Sequence, residues 1–384
     1  MKKEEIFLNL FSSIKKNNKT LELHEPYIDN KDLKSILNAV RNKQVAGKGN
    51  YVNLFEKKIS KFTKSKYTVS CSSGTAALHL AFRYIEINKN DEVLIPAINF
   101  ISTANAVIYC GGSPHFIDVS PITLGVDPNK LSKYLKKIGI FKKGKLLNRM
   151  TGKRIKAIVP MHTFGHPCEM DKILDISKKF KIECIEDAAE GIGSFYKNKH
   201  VGTFSSIGIL SFNGNKTITS GGGGAILTSK KSAERKIRSL ANHSKIDHTW
   251  KYDYDAVGYN YRMPNLNAAL GCSQIDKVKS IIKKHREIFQ IYKLKFKEIK
   301  FGKIFQEPSY SKSNYWLQTF ILSNDDIKLR DKILDYSNKN GIYTRPAWKL
   351  MSEIDHLRKF PKMNLSNSKE LINKIINIPS SFNF

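Results

Sequence analysis

An α/β fold is what this sequence predicts: a mostly parallel seven-stranded sheet flanked by helices, completed by a smaller C-terminal α+β unit. Three observations carry that expectation. Short β-rich apolar runs recur through the middle of the chain, helical patterns lie between several of them, and the pattern changes after about residue 265. Strands separated by helices pair in parallel, and a sheet of that kind is covered on both faces.

The elements follow in order. Ile6, Leu10 and Ile14, flanked by Phe7 and Phe11, predict an amphipathic helix over residues 2–17. A second helix follows Asp29-Asn30, with Leu33, Ile36, Leu37 and Val40 on one face. Gln44 to Asn50, with Gly47 and Gly49, reads as a loop. Strands are expected at Tyr67–Cys71, Glu92–Ile95, His115–Val119, Lys156–Pro160, Ile182–Glu186, Ile207–Phe212 and Ala225–Thr228. Helices are expected between them at Thr75–Ile87, Asp127–Lys137 and Glu169–Phe180. Residues 136–156 are basic and acid-free, and Gly144 and Gly152 make them a loop or hairpin, either solvated or touching a nucleotide. Past this core, Lys-rich helices over Asn265–Lys297, a strand at Trp316–Leu322, a helix at Asp326–Asn340 and a strand at Ile342–Thr344 form the second unit. The expected division is 1–264 for the large unit with its N-terminal helical segment, and 265–384 for the small one.

Composition narrows the function classes. The formal net charge is +31, but the lysines are spread along the chain and no basic stripe is interleaved with aromatics. That distribution predicts a lysine-dressed surface that helps to capture a small anionic substrate, not a nucleic-acid partner. No run approaches the roughly 20 apolar residues of a membrane helix, and Met1-Lys2-Lys3-Glu4-Glu5 lacks a signal-peptide layout. The expectation is a cytoplasmic protein with no membrane partner. Cys71, Cys110, Cys168, Cys184 and Cys272 form no Cys-x-x-Cys pair, so neither a disulfide framework nor a metal site is expected.

Ligands on parallel sheets sit beyond the carboxyl ends of the strands, and three segments there could carry chemistry. Ser70-Cys71-Ser72-Ser73-Gly74-Thr75-Ala76 ends a strand, turns and opens a helix. Free N–H groups at a helix start bind anions, although a plain Ser/Gly turn with a helix cap fits equally well. Ile182 to Glu190 ends an apolar strand in Glu186 and Asp187. Buried acids need a cation, and a pyridinium nitrogen is one; a helix cap is the simpler alternative. In Ser211 to Gly224, Lys216 stands before a four-glycine run, with no carboxylate from Ile207 to Leu227. A desolvated amine of this kind is nucleophilic, but a surface lysine in a hairpin has the same local sequence.

The combination decides between these readings. Gly74-Thr75-Ala76-Ala77-Leu78-His79-Leu80, Val159 to Pro167, Glu186-Asp187-Ala188-Ala189-Glu190, Ser211-Phe212-Asn213-Gly214-Asn215-Lys216, Gly258-Tyr259-Asn260-Tyr261-Arg262-Met263 and Thr344-Arg345-Pro346-Ala347-Trp348 stand in one order. With them the chain resembles the DegT/DnrJ-type sugar-nucleotide aminotransferases, and most the LegC-type branch, from about His24 to Ser381. The resemblance implies the fold of type I transferases dependent on pyridoxal 5′-phosphate (PLP). It implies that Lys216 bonds PLP as a Schiff base and Asp187 pairs with the ring nitrogen. Phe100 would stack on the ring, while Gly74, Thr75, Ala76 and Ser211 would hold the phosphate. Glu190 stands near the ring oxygen, where many relatives carry Gln. Asn260 would reach a neighbouring subunit's phosphate, which implies a homodimer with shared sites.

The implied reaction moves the amino group of glutamate to a nucleotide-linked keto-deoxy sugar, a UDP-linked 4-keto-6-deoxy-N-acetylhexosamine. The products would serve surface glycans such as lipopolysaccharide, with legionaminic acid or bacillosamine among the sugars. Arg262, His248, Trp250, Trp316, Arg345 and Trp348 are the candidate substrate contacts, each equally readable as core or interface. Two alternatives share the fold: a PLP-dependent sugar dehydratase, which would need a residue such as His in place of Lys216, and a non-catalytic regulator.

Overall fold

The computed structural model describes residues 2–12, 14, 20–47 and 49–381. In chain order the elements of the first part are α1 (Lys3–Asn9), α2 (Asn30–Arg41), α3 (Asn50–Thr63), β1 (Tyr67–Cys71), α4 (Gly74–Tyr84), β2 (Asp91–Pro96), α5 (Ser102–Tyr109), β3 (Ser113–Ile117) and α6 (Pro128–Ile138). Then come β4 (Gly139–Lys142), β5 (Lys145–Asn148), β6 (Arg154–Ile158), α7 (Met170–Phe180), β7 (Glu183–Asp187), the short β8 (Phe195–Tyr196) and β9 (Lys199–His200), β10 (Ile207–Ser211), β11 (Gly224–Thr228) and α8 (Lys231–Ala241). The central sheet has the order β1-β11-β10-β7-β6-β2-β3, the seven strands expected. Along that path β11 alone runs against the others, pairing antiparallel with β1 and β10. Every residue of β2, β3, β10 and β11 is buried, which is why apolar residues stand side by side in these strands instead of alternating with polar ones.

Helix starts follow local chemistry. Asp29 caps α2 by accepting from the N–H groups of Lys31 and Asp32, while Asp32 reaches back to the Asp29 N–H. Asp127 caps α6, with Pro128 at the first helical position. The α3 helix is capped from far away: Asn265 Oδ1 accepts from the N–H groups of Tyr51 and Val52 at 3.0 and 3.2 Å.

The basic segment forms the β4–β5 hairpin, which widens the sheet to nine strands. It meets β6 at Arg154, the amino-terminal end of that strand. Buried Glu92 fastens it, facing His115 Nδ1 at 2.8 Å and accepting from Asn148 Nδ2 at 3.0 Å. The hairpin thus lies at the end of the sheet opposite the strand carboxyl ends, and the solvated reading fits it, not contact with a nucleotide bound at those ends.

The remaining elements are α9 (Asn265–Lys295), β12 (Gly302–Ile304), β13 (Ser311–Lys312), β14 (Gln318–Leu322), α10 (Ile327–Lys339), β15 (Arg345–Pro346), α11 (Ser366–Lys374) and β16 (Ile375–Ile378). A second sheet has the order β12-β14-β16-β15. Three expectations are corrected here. The Lys-rich pattern is a single helix, α9. The strand expected at Ile342–Thr344 lies at Arg345–Pro346, because it is set by pairing with the distant β16, while Ile342 makes only a bridge to Leu21. The first helix ends at Asn9, and Phe11 turns back on Phe296 and Tyr292; Ser13 and residues 15–17 of the expected helix lie outside the described residues. The 264/265 boundary is the start of α9, which serves two cores. Ala268, Cys272 and Ile275 pack with Phe55, Ile59 and Phe212, whereas Ile288, Phe289 and Tyr292 pack with Phe320 and Ile376. Phe7 and Phe11 belong to that second core.

Candidate active site

The three segments singled out above converge at the carboxyl ends of β1, β7 and β10. Between them lies a cavity of about 310 Å³ whose lining includes Gly74, Thr75, Phe100, Asp187, Glu190, Ser211, Lys216, Trp316 and Trp348.

The turn after β1 makes one wall. Ser73 caps α4, its Oγ accepting from the Ala76 N–H at 3.0 Å. The Ala76 N–H expected at an anion is therefore already engaged. Among the described residues nothing accepts from the N–H groups of Gly74 and Thr75, so these remain for an anion. Ser211 ends β10 directly opposite: a Cβ on Gly74 would stand 3.1 Å from its hydroxyl oxygen. Gly224 must be glycine, because a Cβ there would lie 2.5 Å from the Ser73 carbonyl. Gly222 faces open space on the same side.

Asp187 is the floor. It ends β7, where its Oδ2 accepts from Thr103 Oγ1 at 3.0 Å and its Oδ1 from the Ala189 N–H at 3.2 Å. Burial raises its pKa, and these hydrogen bonds and the charges of Lys216 and His162 oppose that rise. Thr103 was not foreseen. Its only sequence signal is a polar residue one helical turn after Asn99, whose Nδ2 donates to it at 3.3 Å.

Lys216 is not free of carboxylates, as its flanking sequence suggested. Glu190, from the loop after β7, places Oε1 3.0 Å from Lys216 Nζ. The other Glu190 oxygen accepts from the Phe164 N–H at 2.8 Å. On its other side the ammonium lies 3.9 Å from the centre of the Trp316 ring, and the Trp316 Nε1–H donates to the Asn215 carbonyl at 2.7 Å. The expected lack of a partner failed because a stretch of flanking sequence says nothing of a loop that folds across it. Phe100 stands half exposed on the rim, its ring 6.3 Å from that of Trp348.

Comparison with known proteins agrees with this geometry. A model of the DegT/DnrJ/EryC1/StrS aminotransferase family matches residues 26–384. The chain belongs to that family. A GDP-perosamine synthase from Vibrio cholerae is 31% identical over 363 residues, 94% of each chain. Helicobacter pylori PseC, an aminotransferase involved in the biosynthesis of pseudoaminic acid, superposes with a TM-score of 0.85 at 24% identity over 95% of each chain. A Streptococcus pneumoniae protein in its PLP form superposes with a TM-score of 0.84 at 20% identity, over 95% of this chain and 94% of the other.

This aminotransferase is PLP-dependent, and its cavity fits the cofactor. Gly74, Thr75 and Ser211 offer donors for a phosphate. Asp187 is a buried acid suited to a ring N–H⁺, and Lys216 supplies an amine within the same space. Other predicted residues lie elsewhere. Asn260 is exposed and bridges to Asn242. His248 and Trp250 pair with each other, rings 5.0 Å apart, in an exposed loop. Arg345 is exposed and donates to Asn338 Oδ1 at 2.8 Å. Arg262 lines a separate cavity with Glu56 and Arg238. Of the substrate candidates, Trp316 and Trp348 alone line this chain's cavity. Among the described residues no cluster of three His, Cys, Asp or Glu could hold a metal ion.

Proposed function

We propose that this enzyme transfers the amino group of glutamate to a nucleotide-linked keto-deoxy sugar. The finer part of the proposal is the acceptor: a UDP-linked 4-keto-6-deoxy-N-acetylhexosamine on a route to surface glycan, as in the LegC-type branch. The carrying observation is a single cavity that holds an amine, a buried acid and free N–H donors together. The name of the Vibrio cholerae relative, which includes a GDP-linked amino sugar, supports the nucleotide-sugar class.

In this reading Lys216 would hold the cofactor through its amine and would move the proton at the donor Cα. Asp187 holds a proton on the ring nitrogen. The Gly74 and Thr75 N–H groups and the Ser211 hydroxyl would hold the phosphate, and Phe100 would stack on the ring. PLP, when bound, supplies the electron sink that stabilises charge at that carbon. Glu190 and Trp316 sit beside the amine. A sugar dehydratase is disfavoured by the lysine itself, and a non-catalytic regulator has no use for the amine and acid gathered in one cavity.

The proposal includes a cytoplasmic homodimer. The outer face of α2 leaves Leu33, Leu37 and Val40 about half exposed, and Trp250 and Val257 stand out near Asn260. Exposed apolar side chains of this kind are suited to cover by a second copy, with Asn260 reaching the neighbour's cavity. Among the described residues no helix is long and apolar enough to cross a membrane.

Lys216→Ala should lower turnover by about 100-fold or more, and borohydride should fix the cofactor to Lys216 in the parent protein. Turnover by Lys216→Ala at the parent rate would overturn the assignment. A panel of UDP-, dTDP- and GDP-linked keto-sugars with glutamate tests the acceptor. Reaction confined to sugars lacking the N-acetyl group would overturn that part alone.

A further inference from the structure

The described residues that line the cavity include one cation, Lys216, and two acids, Asp187 and Glu190, and the acids are not equivalent. Asp187 is engaged by Thr103 and the Ala189 N–H, and no hydrogen bond joins it to Lys216. Glu190 is buried, clamped through one oxygen by the Phe164 N–H, and aims the other at Lys216 Nζ, 3.0 Å away. Its loop is held in turn by Asn314, whose Nδ2 donates to the Glu190 and Ile192 carbonyls at 2.8 and 2.9 Å. Trp316 closes the other side of the amine. The amine therefore has a built resting place, a carboxylate on one side and an indole face on the other.

We propose that Glu190 is the proton partner of Lys216: it holds the amine as an ammonium whenever Lys216 is not bonded to the cofactor, and takes the proton back before the nitrogen acts again. The transfer is balanced within the pair. An N–H bond of Nζ breaks, an O–H bond forms on Oε1, and two opposite charges become two neutral groups. A glutamine at this position offers the same hydrogen bond but cannot accept the proton. Burial raises the pKa of Glu190, opposed by the Lys216 charge, so its carboxylate takes a proton more readily than an exposed one. The titratable groups facing the amine are Glu190, Asp187 at the end of β7, and His24, a ring that burial keeps neutral at ordinary pH. Among the described residues, Glu190 is the titratable group in contact with the amine. In this role it is a positioning residue for Lys216.

The inference rests on the reading of Lys216 as the cofactor lysine, but its test reads the amine directly. The full-length protein is freed of cofactor and acetylated across a pH series, and modification of Lys216 is followed by mass spectrometry. The midpoint of the profile is the readout, so partial loss of folded protein changes its height and not its position. Glu190→Gln should move the midpoint down by about one pH unit or more, giving about tenfold faster labelling below both midpoints. Glu190→Asp should keep a midpoint near the parent value, and Asp187→Asn should move it less than Glu190→Gln. Superimposable profiles for Glu190→Gln and parent, or an equal shift from Asp187→Asn, would overturn the proposal. Failure of the cofactor reading would appear separately, as full turnover by Lys216→Ala.

Discussion

At the scale of single residues the site depends on carboxylates kept where water would not leave them. Asp187 is buried, and burial raises its pKa against the opposing charges of Lys216 and His162. The sign of its effect on stability follows. Below the ordinary Asp value of about 3.9 it is protonated in both folded and unfolded chains and costs nothing. As pH rises through the raised folded value, the unfolded chain ionises more readily and stability is lost. Cofactor-free Asp187→Asn should therefore melt above the parent protein at neutral pH, with the gap closing near pH 4. With PLP bound, the order should reverse at neutral pH, since the acid then has its ring partner. Thermal melts with and without PLP check both signs. Asp187 and Ser211 were legible in the sequence because each ends a strand, and Lys216 because it stands in the glycine-rich turn between β10 and β11. Glu190's contact with Lys216, and the Thr103 hydroxyl behind Asp187, were not, because both pairings join segments far apart in the chain.

At the scale of elements, local rules explain most helix starts but not all. Ser73, Asp29 and Asp127 cap the helices they precede. For α3 the local N-cap is Gly49, which has no side chain, and Asn265 does the work from the start of α9. Gly49 is needed there, because a Cβ would lie 2.4 Å from the Asn265 side chain. Asn265→Ala should cost about 1–2 kcal/mol, more than an ordinary surface change, and urea unfolding measures it. The smaller strands were missed or displaced for a related reason. Arg345–Pro346 is set as a strand by pairing with Ile375–Ile378, which itself pairs with Gln318–Leu322 on its other side, and no local periodicity records a partner.

Among the described residues, the nine-stranded sheet, the four-stranded sheet and the small β13-β8-β9 sheet are accompanied by α9, which packs in two cores. The cavity lies where they meet: the large sheet supplies the acid and the anion-binding turn, and the second part supplies Trp316 and Trp348. The half-exposed Leu33 and Leu37 on α2 belong to this scale as well. If that face joins two copies, Leu33→Glu with Leu37→Glu should convert a dimer to a monomer in light scattering. It should also cut turnover, because Asn260 would lose its neighbour. A monomeric parent protein would reject the dimer.

The sequence by itself determined the parallel core, the order of the chemical segments and the family resemblance. These rest on apolar runs, glycine turns and strand-end residues that leave local marks. Tertiary structure alone decided that Lys216 has an acid beside it, that Ala76 is already capped, and that the basic hairpin stands at the far end from the chemistry. Each depends on which distant segments touch, and a contact between distant segments is fixed by packing the whole chain.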